Sequence, residues 1–172
     1  IWDDNELVIG TLRETSLHAA LKQWYAQPGD RFEMDVDGYV VDLRRGDTII
    51  EIQTRSFAAI RRKLIALTTQ FPVRLVHPIA REKYIVRFPA GKSAEPISRR
   101  KSPKRGTVEQ LFIELVSFPD LITHPNFTLE IVLTREEEIQ QRGRGGSWRR
   151  KGWKVVDRRL IDVADTIVFE SP

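Results

Sequence analysis

The sequence predicts an α/β core with a mixed central sheet flanked by helices, followed by a small basic α+β extension. Three observations carry this. Helical and strand periodicities alternate over the first 90 residues in the order α-β-β-β-α-β-β. Asp37-Gly38 separates two alternating runs, which is hairpin-turn chemistry. Residues 89–106 then interrupt the pattern with Pro, Gly, Ser and charge. The expected division is a core over 1–90, a basic linker or arm over 91–106 and an extension over 107–172.

Taken in order, residues 6–26 read as a helix with Leu17, Leu21 and Trp24 on one stripe, stopped by Pro28-Gly29. Residues 32–36 and 39–43 are the hairpin strands. After a turn at Arg45-Gly46-Asp47, residues 48–53 make a third strand. Ser56 can cap a second helix with the stripe Phe57, Ile60, Leu64 and Leu67, ended by Pro72. Residues 73–77 and 83–88 read as two further strands. Thr107 with Gln110 resembles a capping box for a helix through about Val116. Residues 127–133 read as a strand, Thr134 with Glu137 repeats the capping pattern for a short acidic helix, 142–146 is a flexible turn, and 153–163 should form one or two strands.

Composition removes several function classes. With 41% hydrophobic and 30% charged residues among 172, the chain has material for a core and is not wholly disordered. No apolar run approaches the roughly 20 residues of a membrane span, and the acidic start IWDDNELV does not read as a signal peptide. Cysteine is absent, which excludes disulfide scaffolds, zinc ribbons and thiol catalysis and points to the cytoplasm.

The net charge of +4 conceals two basic blocks. Residues 99–105 (RRKSPKR) hold five cations and no acid, and residues 142–159 hold eight cations and one acid. Such blocks suit a polyanion, nucleic acid first; the plainer reading is a solvated surface. Candidate phosphate contacts are Arg99, Arg100, Lys101, Lys104 and Arg105 in the first block, and Arg149, Arg150, Lys151 and Lys154 in the second. Trp148, set among those cations, could stack a base or pack inward.

Three acids fall where apolar residues are expected. Glu14 shares the helical stripe of Leu17, Leu21 and Trp24. Strand alternation puts Asp42 on one face with Val40, opposite Tyr39, Val41 and Leu43; Glu51 shares a face with Ile49 and Gln53. A carboxylate so flanked costs several kcal/mol unless paired or metal-bound. Singly, Glu14 could be a helix-boundary residue, Asp42 a cap for the Arg44-Arg45 turn and Glu51 a solvent-facing residue. Jointly, two acids on strands joined by a short turn, with a third on the covering helix, make a hard-oxygen site for a divalent ion. His18, one turn after Glu14, could contact phosphate, bond Glu14 or be an ordinary boundary histidine. His77 and His124 each precede proline and read as structural.

The stretch VVDLRRGDTIIEIQ resembles the core of the PD-(D/E)XK nuclease superfamily, over roughly residues 6–88. There an Asp ends one strand and Glu-X-Lys lies on the next; a preceding helix often supplies a further Glu, as in archaeal Holliday-junction resolvases. The resemblance implies a restriction-endonuclease-like fold and a metal-dependent endonuclease acting on DNA, with RNA as the second candidate. It places the acids at Asp42, Glu51 and Glu14 and puts Gln53 where the lysine stands. The implied cofactor is Mg²⁺ or Mn²⁺, held by Asp42, Glu51, the Ile52 carbonyl and Glu14. A neutral Gln53 can orient water but carries no charge. Lys63 on the second helix is another source of that charge, although helical geometry does not force it inward. A homodimer would let two such sites cut both strands. The rival readings are a degenerate nucleic-acid-binding module on the same fold and a protein-interaction domain.

Overall fold

A computed structural model describes residues 15–91, 95–143 and 152–170. Helix α1 (Ser16–Tyr25) is capped by the Thr15 side chain, which accepts from the His18 N–H. Its buried stripe is Leu17, Leu21 and Tyr25, at i, i+4 spacing, and Trp24 is half exposed against the Tyr25 ring rather than in the core. Strands β1 (Arg31–Val36), β2 (Tyr39–Arg45) and β3 (Thr48–Ile52) form an antiparallel meander through turns at Asp37-Gly38 and Gly46-Asp47. A 3₁₀ turn (Phe57–Ile60), capped by the Ser56 hydroxyl, leads into α2 (Arg61–Thr68). This crossover is what allows β4 (Val73–Phe88) to pair parallel with β3.

The remaining strands are β5 (Ser98–Lys101), β6 (Phe127–Arg142) and β7 (Trp153–Glu170), with the short helix α3 (Leu111–Leu115) between β5 and β6. All seven strands form one mixed sheet in the order β1-β2-β3-β4-β6-β7, with β5 also on β4. That sheet draws strands from each of the three segments into which the sequence was divided. Its two faces carry separate apolar clusters. Leu64, Leu67 and Phe57 pack over Ile49, Val73, Leu75 and Leu129 on one face. Leu17 and Leu21 pack over Leu43, Ile50, Ile52, Val76 and Val132 on the other.

Four sequence expectations are corrected here. Residues 73–77 and 83–88 are one strand, because β6 runs beside β4 for its whole length; a register shift between Ala80 and Glu82 is the trace of the expected break. Residues 134–142 continue β6 instead of forming a helix. Their acids are satisfied across the sheet, Glu136 by Arg158, Glu137 by Arg99 and Glu138 by Lys83, and these bonds override the local capping pattern. Residues 98–101 are a sheet strand rather than a loose arm. Thr107 makes no side-chain cap, and the turn after it is 3₁₀.

β4 has an interrupted edge. Its first residues pair with β3 through Val76, and residues 84–87 pair with β5. Between them lies Pro78, which offers no N–H to a ladder. The chain beyond β5 closes back on this gap: the Ser102 N–H donates to the Lys83 carbonyl and the Gly106 N–H to the Ala80 carbonyl, 2.7 and 2.8 Å. The approach at Gly106 is too tight for a side chain, since a Cβ there would lie 2.6 Å from Ile79 Cγ2.

Candidate active site

Asp42 and Glu51 face each other across the hairpin at the point where its ladder ends. The β2–β3 register runs Arg45↔Thr48, Arg44↔Ile49 and Leu43↔Ile50 and stops there. The local cause is a change of face at Asp42: Val41 packs in the cluster under α2 while Leu43 packs in the cluster under α1. Opposite it on β1, Glu33 takes the left-handed backbone region at φ 48. The regular alternation expected for residues 39–43 therefore fails at Asp42, and Val40 is exposed instead of sharing its surroundings. In place of a ladder bond, the Asp42 N–H donates to Glu51 Oε1 at 3.2 Å.

Each acid is met by a basic side chain from a different helix. Asp42 Oδ2 lies 3.1 Å from His18 Nε2 of α1 and accepts the Ile52 N–H at 2.8 Å. Glu51 Oε2 lies 2.6 Å from Lys63 Nζ of α2, and the same amine donates to the Val40 carbonyl at 2.6 Å. Burial pushes the Asp42 carboxyl up, but the His18 hydrogen bond and charge, with the Ile52 N–H and Lys63, outweigh it and hold the group below its usual range. For Glu51, burial and then the Asp42 charge outweigh Lys63 and raise the carboxyl to about 7.

The Glu51 shift has a consequence for stability without metal. The native chain holds the Glu51 proton up to about pH 7, whereas the unfolded chain releases it near the ordinary glutamate value of 4.5. Stability from this group is therefore lost as pH rises between those values, on the order of 3 kcal/mol in all. Buried His77, whose pKa is lowered, acts oppositely below its unfolded value, so the comparison must be with Glu51→Gln. Urea unfolding in a chelator should show the variant gaining on the wild type by about that amount between pH 5 and pH 8. An equal difference at both pH values would contradict the assignment.

The donor set suits a hard cation: two neighbouring acidic side chains, with Glu51 bonded to the Asp42 N–H and its carboxyl raised by the Asp42 charge as well as by burial. Among the described residues, no group of three or more His, Cys, Asp or Glu side chains is arranged to hold a metal ion.

The matches to known proteins cover this whole arrangement. A family model described as Domain of unknown function (DUF8091) matches residues 15–170, from the α1 cap to the last residue of β7. The chain belongs to that family. It is also 34% identical over 166 residues to an uncharacterized protein of Treponema pallidum (strain Nichols), covering 96% of this chain. The chain spans 65% of that relative's length. No solved structure matches it.

Within the family's span, the other expected site residues divide. Gln53 is not brought to the acids: its side-chain amide donates to the Ser56 carbonyl at 2.7 Å, and its own carbonyl meets His77 Nδ1 at 2.6 Å. Glu14 lies outside the described residues, as do Trp148, Arg149, Arg150 and Lys151. Arg99 pairs with Glu137 and lies over the Tyr84 ring, and Lys101 pairs with Glu82, so both are engaged within the sheet. Arg100, Lys104, Arg105 and Lys154 are exposed and make no side-chain ion pair among the described residues. Sequence reasoning left His18 with three alternatives and did not force Lys63 inward. The signal for Lys63 was its place beside Leu64, on the margin of the buried face of α2.

Proposed function

We propose that the chain is a metal-dependent nuclease that hydrolyses phosphodiester bonds in DNA, on a restriction-endonuclease-like core. The observation that carries this reading is the juxtaposition of Asp42, Glu51 and Lys63 where the β2–β3 ladder ends. The order α1-β1-β2-β3-α2-β4 and the mixed sheet support it. Lys63 supports it further, because it brings to Glu51 the charge that Gln53 lacks.

Asp42, Glu51 and the Ile52 carbonyl would hold the ion, which when bound supplies Lewis-acid activation of water and neutralises phosphate charge. The chain's own residues do the rest. His18 keeps Asp42 ionised and fixes its orientation. Lys63, anchored on the Val40 carbonyl, places one positive charge beside the acids, where charge develops on a phosphoryl oxygen. Arg100, Lys104, Arg105 and Lys154 offer contacts to the nucleic-acid backbone.

The side chain of Gln53, bonded to Ser56 instead of the acids, favours a second reading, a binding module without chemistry. Cleavage of duplex, branched and single-stranded substrates in Mg²⁺ and Mn²⁺ separates the two. A nuclease cuts at least one in a metal-dependent way; a module binds, with salt-dependent affinity, and cuts none.

A further inference from the structure

A cavity of about 550 Å³ opens beside the interrupted edge of β4. Its walls include Thr54, His77, Lys83, Lys104, Arg105 and Arg158. It is built rather than incidental: the segment that closes it is pinned at Ser102 and Gly106, and Gly106 fits only because it lacks a side chain. The far wall is held by Arg158, which donates to the Thr54 carbonyl at 3.2 Å and is itself fixed on buried Glu136.

Three kinds of surface meet in this space. The Lys104 and Arg105 side chains stand at its margin, exposed and without ion-pair partners among the described residues. Ile79, Leu111 and Val155 give it apolar walls. His77 supplies an acceptor. Its Nδ1 lies 2.6 Å from a carbonyl oxygen, which can only accept, so Nδ1 carries the proton and Nε2 the lone pair. Among the described residues no buried side-chain nitrogen or oxygen lacks a partner, and His77, which lines the cavity, has no other hydrogen bond, so its Nε2 is accessible. Two carboxylates also line the cavity, Glu114 bonded to the Phe57 N–H and Glu138 paired with Lys83, which leaves Lys104 and Arg105 as the cations without an ion pair among the described residues. Those cations, the apolar wall and the His77 acceptor match the phosphate, base and sugar hydroxyl of a nucleotide, and the volume suits a small ligand.

We propose that this cavity is a nucleotide-binding pocket, taking one nucleotide unit with its phosphate against Lys104 and Arg105 and a sugar hydroxyl on His77 Nε2. The proposal deepens the nuclease reading and rests on it for the source of the nucleotide. Thr54 is three residues beyond Glu51, so their Cα atoms lie at most about 11 Å apart and the unit would lie near the acid pair along a bound strand. The ligand is either the end of a strand, with a terminal phosphate, or an internal unit.

The test is binding in a chelator, where no cleavage can occur. Fluorescence anisotropy would follow a short labelled single strand carrying a 5′-phosphate, the same strand with a 5′-hydroxyl, and competition by a deoxynucleoside monophosphate and by inorganic phosphate. The monophosphate should compete at least tenfold better than inorganic phosphate. Lys104→Glu with Arg105→Glu should weaken the strand at least tenfold, and His77→Phe should weaken the monophosphate while sparing inorganic phosphate. Tighter binding of the 5′-phosphorylated strand identifies an end; equal binding identifies an internal unit. Equal competition by monophosphate and inorganic phosphate, or unchanged affinity in the double variant, would overturn the pocket. Metal-dependent cleavage that survives such a result would leave the nuclease standing, whereas nucleotide binding without cleavage would remove the nuclease and keep the pocket.

Discussion

Asp42→Asn is expected to lower metal-dependent cleavage by at least about 10³-fold, because it removes an anionic ligand from a hard cation while keeping shape and volume. Glu51→Gln should do the same. Lys63→Ala should cost about 10²-fold, the size seen when one charge-stabilising donor is lost from a transition state. Gln53→Ala should stay within about twofold by contrast, since its amide is bonded to the Ser56 carbonyl. A rate assay on the best substrate of the panel checks all four. Loss of activity in Gln53→Ala with retention in Lys63→Ala would return the lysine's role to the strand position and remove it from α2.

The largest effect on stability is expected at Arg158→Ala. Glu136 is fully buried on β6, and Arg158 on β7 reaches its Oε2 with two nitrogens at 3.0 and 2.8 Å. Removing the cation leaves a buried carboxylate with only the Thr134 hydroxyl at 2.6 Å. The cost should be about 3–5 kcal/mol, which lowers the melting temperature by roughly 10 °C in a chain of this size. Replacing both members, Arg158→Met with Glu136→Met, should recover most of the loss, because the uncompensated charge is gone. Thermal melting of the single and double variants decides it: a single-variant loss under about 1 kcal/mol would mean that Glu136 is neutralised by other means.

The early part of the chain was legible because its signals are local. Asp37-Gly38 and the Ser56 cap each act within a few residues, and the structure keeps both, while the alternation breaks at Asp42. The meeting of Asp42 with Glu51 followed from the next turn, at Arg45-Gly46-Asp47, which joins β2 to β3. The second half was less legible because its strands are specified across the sheet. Thr134 and Glu137 carry a helix-capping pattern, yet Glu136 and its neighbours are held by cations from β4, β5 and β7, which no window of sequence can see. Residues 99–101 look like an arm by composition, but two of their three cations are spent on Glu137 and Glu82. The site was misread in one respect for the same reason. Gln53 follows Glu51 at the motif spacing, but the strand ends at Ile52 and the side chain turns to the Ser56 loop, while the charge comes from a helix ten residues further on.

The central claim is that Asp42 and Glu51 form one divalent-cation site, and melting temperature against added Mg²⁺ or Mn²⁺ tests it without requiring any substrate. An ion that binds only the folded chain stabilises it by about 2.7 kcal/mol at one hundred times its dissociation constant. For a chain of this length that is a rise of roughly 5–10 °C. The wild type should show this rise, and Asp42→Asn and Glu51→Gln should show none. A wild type unmoved by either ion, or variants that rise as far as the wild type, would contradict the site.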